Sequence, residues 1–84
     1  MATRIVFLGR LRDRFGASEI VVDLPASVRD QESLARFVAG ADDQLSAALQ
    51  EKSVRLAADR KILARGEGFD VPDEIAFMPP FSGG

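Results

Sequence analysis

Cysteine and histidine are both missing from this 84-residue chain. Without cysteine there is no disulfide framework, no thiolate nucleophile and no cysteine-based metal site. Without histidine the commonest general base and metal ligand is gone, so most small-enzyme mechanisms are excluded. No constellation of carboxylates and hydroxyls takes their place. Long hydrophobic runs are absent too: none approaches the ~20 residues that span a bilayer. No secretory signal is visible, because the run Ile5-Val6-Phe7-Leu8 stops at Gly9. The expectation is a cytoplasmic protein that neither enters a membrane nor holds a metal or cofactor. An excess of positive charge is also lacking. The net charge of −2 gives no general attraction to nucleic acid.

What is present describes one domain over residues 1–84. The chain is 46% hydrophobic and 29% charged, ordinary values for a folded chain. A domain this short buries only ~60–65% of its unfolded surface. Thr3 to Leu8 reads as a strand, apolar enough to be covered on both faces. Arg10 to Phe15 reads as a short helix with Leu11 and Phe15 on one side, stopped by Gly16. Glu19 to Leu24 alternates, with Ile20, Val22 and Leu24 inward, and Pro25 ends it. Asp30 is placed to cap a helix whose inner face is Leu34, Phe37, Val38 and Ala41. Asp42 or Asp43 caps a second short helix with Leu45, Ala48 and Leu49 inward. Val54 to Ala58 is a further strand, Asp59-Arg60-Lys61 a turn, and Ile62-Leu63 a weak edge strand. Ile75 to Met78 is the last strand. The order predicts an α+β domain, a mixed sheet with one main helix packed across one face. Its expected core includes Phe7, Leu24, Leu34, Phe37, Val38, Leu56 and Ile75.

The tail stands out. The sequence closes on Phe77-Met78-Pro79-Pro80-Phe81-Ser82-Gly83-Gly84. Gly83 and Gly84 lack side chains and fit a narrow channel. Pro79 and Pro80 stiffen the approach. Six residues from Pro79 reach roughly 20 Å at ~3.3 Å each, enough to enter another protein's active site. With so little other chemistry in the chain, the α-carboxylate of Gly84 is the best candidate for a reacting group. Other charged stretches read as ordinary surface. Arg4, Arg10, Arg12 and Arg14 lack the interleaved aromatics of a single-strand binder. Gly66-Glu67-Gly68 lacks the lysine and setting of a phosphate loop. Asp42-Asp43 and Asp70, Asp73 and Glu74 match no calcium-loop spacing.

Three segments resemble a known family. Ile5-Val6-Phe7-Leu8-Gly9-Arg10-Leu11-Arg12-Asp13-Arg14-Phe15-Gly16 looks like the opening strand and short helix of the ubiquitin-like β-grasp sulfur carriers (the MoaD/ThiS-like group). Val54 to Asp59 looks like their third strand. Asp73-Glu74-Ile75-Ala76-Phe77-Met78-Pro79-Pro80, followed by Phe81-Ser82-Gly83-Gly84, is similar to their most recognisable segment. Within that family the small subunits of molybdopterin synthase are the best fit, with Met78 and Phe81 as departures where a second Phe and a Val or Ala are usual.

The resemblance implies a mechanism. An ATP-dependent activating enzyme adenylates Gly84, sulfur replaces the adenylate, and the thiocarboxylate enters the synthase large subunit. There it gives its sulfur to cyclic pyranopterin monophosphate. Gly84 and Gly83 are then the reacting end, and residues 79–84 a flexible functional tail. Phe77, Met78, Pro79, Pro80, Phe81 and Ser82 are then the partner-contact residues, although the place of Phe77 in the last strand slightly favours core over interface. The chain alone catalyses nothing, and ATP belongs to the activating enzyme. The family's usual assembly is a heterotetramer. A carrier for thiamin, cysteine or tRNA thiolation, a ubiquitin-like modifier, and a β-grasp module with an idle tail are the alternatives.

Overall fold

In a computed structural model of the protein, which describes residues 2–80, one mixed sheet carries three short helices. The elements in chain order are β1 (Ala2–Phe7), α1 (Arg10–Phe15), β2 (Glu19–Asp23), α2 (Gln31–Ala39), α3 (Asp43–Leu49), β3 (Arg55–Ala58), β4 (Lys61–Ile62) and β5 (Glu74–Met78). The sheet order is β2-β1-β5-β3-β4. β1 and β5 run parallel, and the other neighbours are antiparallel. The last strand in sequence is thus the middle strand of the sheet, protected on both edges.

Register sorts the side chains. Ile5 faces Ile75 and Phe7 faces Phe77, and Phe77 also faces Leu56. These five are at most 3% exposed and share a core with Leu34, Ala35, Leu45 and Leu49 of α2 and α3. Three phenylalanines stack in a row through it. The Phe15 and Phe7 ring centroids are 4.0 Å apart and those of Phe7 and Phe77 5.5 Å, each pair nearly parallel. Phe15 is the pin that holds α1 to the sheet, at the i+4 spacing from buried Leu11 that the sequence shows.

Three expectations are corrected. β1 is covered on one face only: Thr3, Ile5 and Phe7 are buried, whereas Arg4 is exposed, Val6 half-buried and Leu8 42% exposed. Its apolar run mimics a doubly covered strand, but the helices pack on one side of the sheet. Phe37 is 39% exposed rather than core. The buried stripe of α2 runs through Leu34 and Ala35, with Val38 and Ala39 packed against it. At 100° per residue Phe37 falls beyond the stripe's edge. Ala41 lies past the end of α2 and is exposed, because the chain turns at Gly40 with φ 60°.

Polar groups hold the helices in place. The Asp30 carboxylate accepts from the Ser33 amide at 2.9 Å, and the Asp30 amide donates to Ser33 Oγ at 3.2 Å, a reciprocal capping box. Asp42 caps α3 through the Leu45 amide at 3.0 Å. At the other end of α3, Arg65 donates to the Gln50 and Glu51 carbonyls, groups a helix end leaves without partners. Gln31 Nε2 donates to the carbonyls of Leu49 and Val54, tying α2 to the approach to β3.

The Ser33 hydrogen bonds hold the Asp30 carboxyl below the usual carboxylate range. Folding therefore favours the ionised form. The cap contributes fully at neutral pH, and its contribution is lost as pH falls through the normal Asp range and then the lowered folded value. Asp30→Ala is expected to cost about 1 kcal/mol at pH 7. The difference from wild type should shrink in acid, as read from melting curves between those pH values.

Candidate functional site: the root of the tail

The site begins where β5 stops. Phe77 O accepts from the Leu8 amide at 3.1 Å, the last bond tying β5 to the β1 edge. Met78 still sits opposite Arg55 of β3. Pro79 follows and has no N–H, so it cannot continue the ladder. Sequence thus dictates where the chain leaves the sheet, and it leaves from the central strand.

Pro79 then packs against Gly9. A Cβ built on Gly9 would stand 2.9 Å from Pro79 Cγ, and Gly9 has φ 56° and ψ −136°, a region open almost only to glycine. Gly9 joins β1 to α1, so one residue both turns the chain into α1 and clears room for the tail root. The sequence shows Gly9 as a strand breaker; its contact with Pro79 spans seventy positions and is invisible there. Gly9→Ala is expected to destabilise the fold by about 1–3 kcal/mol. That lowers the melting temperature by several degrees, and Pro79 resonances should shift with it.

The site residues named from sequence separate into three groups. Phe77 is completely buried, which is the core role of the two its position in the sequence leaves open: its ring completes the phenylalanine stack. The inward strand register explains this, since Ile75 and Phe77 point the same way. Met78 and Pro79 are half-buried and Pro80 is exposed, so their surface is accessible at the tail root. Phe81, Ser82, Gly83 and Gly84 lie outside the described residues.

The uncovered face of the sheet continues from Met78. Cross-strand pairing aligns Val6, Ala76, Ala57 and Ile62 in one row across four strands. Ile62 is 59% exposed and Val21 64%. At one end of this face Arg4 and Glu74 form an ion pair at 2.6 Å. The hydrogen bond and charge of Glu74 raise the Arg4 pKa further. At the neighbouring corner the turn residues Asp59 and Arg60 both have positive φ, 49° and 71°. The Asp59 carboxylate accepts from the Glu74 amide at 3.0 Å, which locks the turn to β5. Among the described residues, no helix is long and apolar enough to cross a membrane.

Comparison with known proteins agrees with this architecture. No family model matches the chain. The sulfur carrier subunit of molybdopterin synthase from Escherichia coli (strain K12) is 26% identical over 83 residues, spanning 96% of this chain and 98% of that protein. SAMP1, the small archaeal modifier protein 1 of Haloferax volcanii, superposes with a TM-score of 0.70 at 20% identity, and each chain is covered completely. A Pyrococcus furiosus protein described as molybdopterin converting factor, subunit 1, superposes with a TM-score of 0.66 at 17% identity. That match covers 95% of this chain and 98% of the other. The chain thus has the ubiquitin-like β-grasp fold of these solved structures and is similar along nearly its whole length to a sulfur carrier subunit.

Proposed function

We propose that the chain is the sulfur carrier of a molybdopterin synthase and that Gly84 bears the sulfur. The observation that carries this reading is the end-to-end likeness to a sulfur carrier subunit. The fold supports this reading, since the central strand β5 ends at Met78, directly before Pro79-Pro80 and the sequence Phe81-Ser82-Gly83-Gly84. In the loading step a Gly84 carboxylate oxygen attacks the α-phosphorus of ATP and pyrophosphate leaves. A sulfide-level donor then attacks the acyl carbon and AMP leaves, giving the thiocarboxylate. In transfer, the thiocarboxylate sulfur attacks a carbon of cyclic pyranopterin monophosphate, an oxygen substituent of that carbon leaves, and water then attacks the acyl carbon and breaks the acyl–sulfur bond. Water supplies the oxygen that restores the carboxylate.

No step requires a side-chain nucleophile or base from this chain, which is consistent with its lack of cysteine and histidine. The activating enzyme and the large subunit supply the catalytic groups. Gly83 gives clearance, and Pro79 and Pro80 reduce the entropy lost when the tail is ordered. Met78 and the row Val6–Ala76–Ala57–Ile62 form the apolar surface against which the large subunit sits, because that face is uncovered and runs into the tail root. Ile62→Asp should leave the melting temperature nearly unchanged, because Ile62 is outside the core. It should weaken large-subunit binding about tenfold or more in titration calorimetry.

The likeness to a small archaeal modifier favours a second reading, in which the activated Gly84 is joined to lysines of other proteins. Reconstitution separates the two. The thiocarboxylated chain is mixed with the large subunit and cyclic pyranopterin monophosphate. Molybdopterin formed in proportion to carrier consumed supports the sulfur carrier. No molybdopterin, with lysine-linked adducts appearing in cell extract, supports the modifier.

A further inference from the structure

We propose that Arg10 and Arg14 form a cationic clamp for carboxylates on the surface of the protein that receives the tail; this rests on the tail-insertion reading above. The basis is a juxtaposition at one end of the sheet. α1 starts immediately after Gly9, the residue on which Pro79 packs. A groove of 170 Å³ opens there, lined by Arg10, Arg14, Pro79 and Pro80. Leu11 and Val54, both buried, also line it and give it an apolar floor.

Arg10 and Arg14 are four apart on one helix and therefore project from the same side. Both are exposed. Among the described residues neither has an ion pair or hydrogen bond. Other arginines do: Arg4 pairs with Glu74, Arg36 with Glu32, and Arg65 holds two carbonyls. Like charges one turn apart disfavour the helix that carries them, so fold stability does not account for the pair.

The chemistry of the groove selects its occupant. Guanidinium groups take carboxylates in bidentate fashion. Glu51 also lines the groove, and its charge works against a polyanion such as a nucleic acid strand. Among the described residues no aromatic side chain lines it for base stacking. A protein surface with a few placed carboxylates fits between the two arginines and past Glu51. Such contacts would steer encounter and fix the direction in which Pro79 and Pro80 leave the groove.

The test uses the full chain, with the activating enzyme and the synthase large subunit of the same organism as binding probes. Arg10→Glu with Arg14→Glu is compared with Arg29→Glu and Arg36→Glu, which makes the same charge change on and beside α2. Arg10→Gln with Arg14→Gln serves if the reversed pair fails to fold. The clamp predicts that the groove variant binds at least one probe about thirtyfold more weakly at low salt. Its affinity should also respond less to salt between ~50 and ~300 mM than wild type does, while the α2 variant stays within about twofold of wild type. Unchanged binding by the groove variants, or equal loss in both variant pairs, overturns the clamp. Wild-type binding without sulfur at Gly84 overturns the carrier reading and leaves the clamp standing if the groove variant is weakened. No wild-type binding to either probe overturns both.

Discussion

Removal of Gly84 is expected to abolish sulfur loading while leaving the fold intact. Without it Gly83 becomes terminal, and on the carrier reading the reacting carbon falls about 3.5 Å short of the position in the activating enzyme that Gly84 would occupy. Displacement of even ~1 Å from a reacting geometry costs on the order of a hundredfold, so loading should fall below detection. Gly84→Ala keeps the length and adds a Cβ, which on the carrier reading a channel sized for glycine would reject. Loading should then drop about a hundredfold or more. The melting temperature should match wild type in both variants, because among the described residues every element of the sheet ends by Met78. Loading is read as thiocarboxylate formed per chain, and stability by thermal melting of the same samples. A deletion variant that still forms thiocarboxylate, or one that unfolds, contradicts this account of the tail.

Phe77→Ala should do the reverse and remove the fold. Phe77 is completely buried and stacks on Phe7, which in turn stacks on Phe15 of α1. Buried Phe→Ala substitutions cost about 3–5 kcal/mol. A domain of this size has a total stability of about 4–13 kcal/mol. The variant should therefore melt about 15–30 °C lower than wild type or be unfolded outright. Phe37→Ala removes the same side chain from a 39% exposed position and should cost no more than about 1 kcal/mol. The pair of melting curves tests the placement of both rings. Equal losses would mean that α2 is rotated from the orientation described here.

The sequence makes most of the fold legible because local signals agree with one another. Alternation in Glu19 to Leu24, the Asp30 and Asp42 caps, and Pro79 as a ladder stop each have a local cause. Phe37 is different: its helix carries apolar residues at 34, 35, 37, 38 and 39, so periodicity alone fits more than one inner face. The face is chosen by the sheet, which periodicity does not contain. β1 misleads for the same reason, since an apolar run does not say how many layers cover it. At the site, the order Pro79-Pro80-x-x-Gly-Gly is visible directly, but the seat that Gly9 provides for Pro79 is not. Nor is the groove in which Arg10 and Arg14 meet the tail root, because it needs the parallel pairing of the first and last strands.

The most direct test of the central claim is intact mass spectrometry of the chain after incubation with its activating enzyme, ATP and a sulfur donor. Replacement of one oxygen by one sulfur, mapped by fragmentation to Gly84 and absent without ATP, is the predicted result. A chain whose mass is unchanged while the enzyme loads another carrier in parallel, or that acquires sulfur anywhere but Gly84, would contradict it.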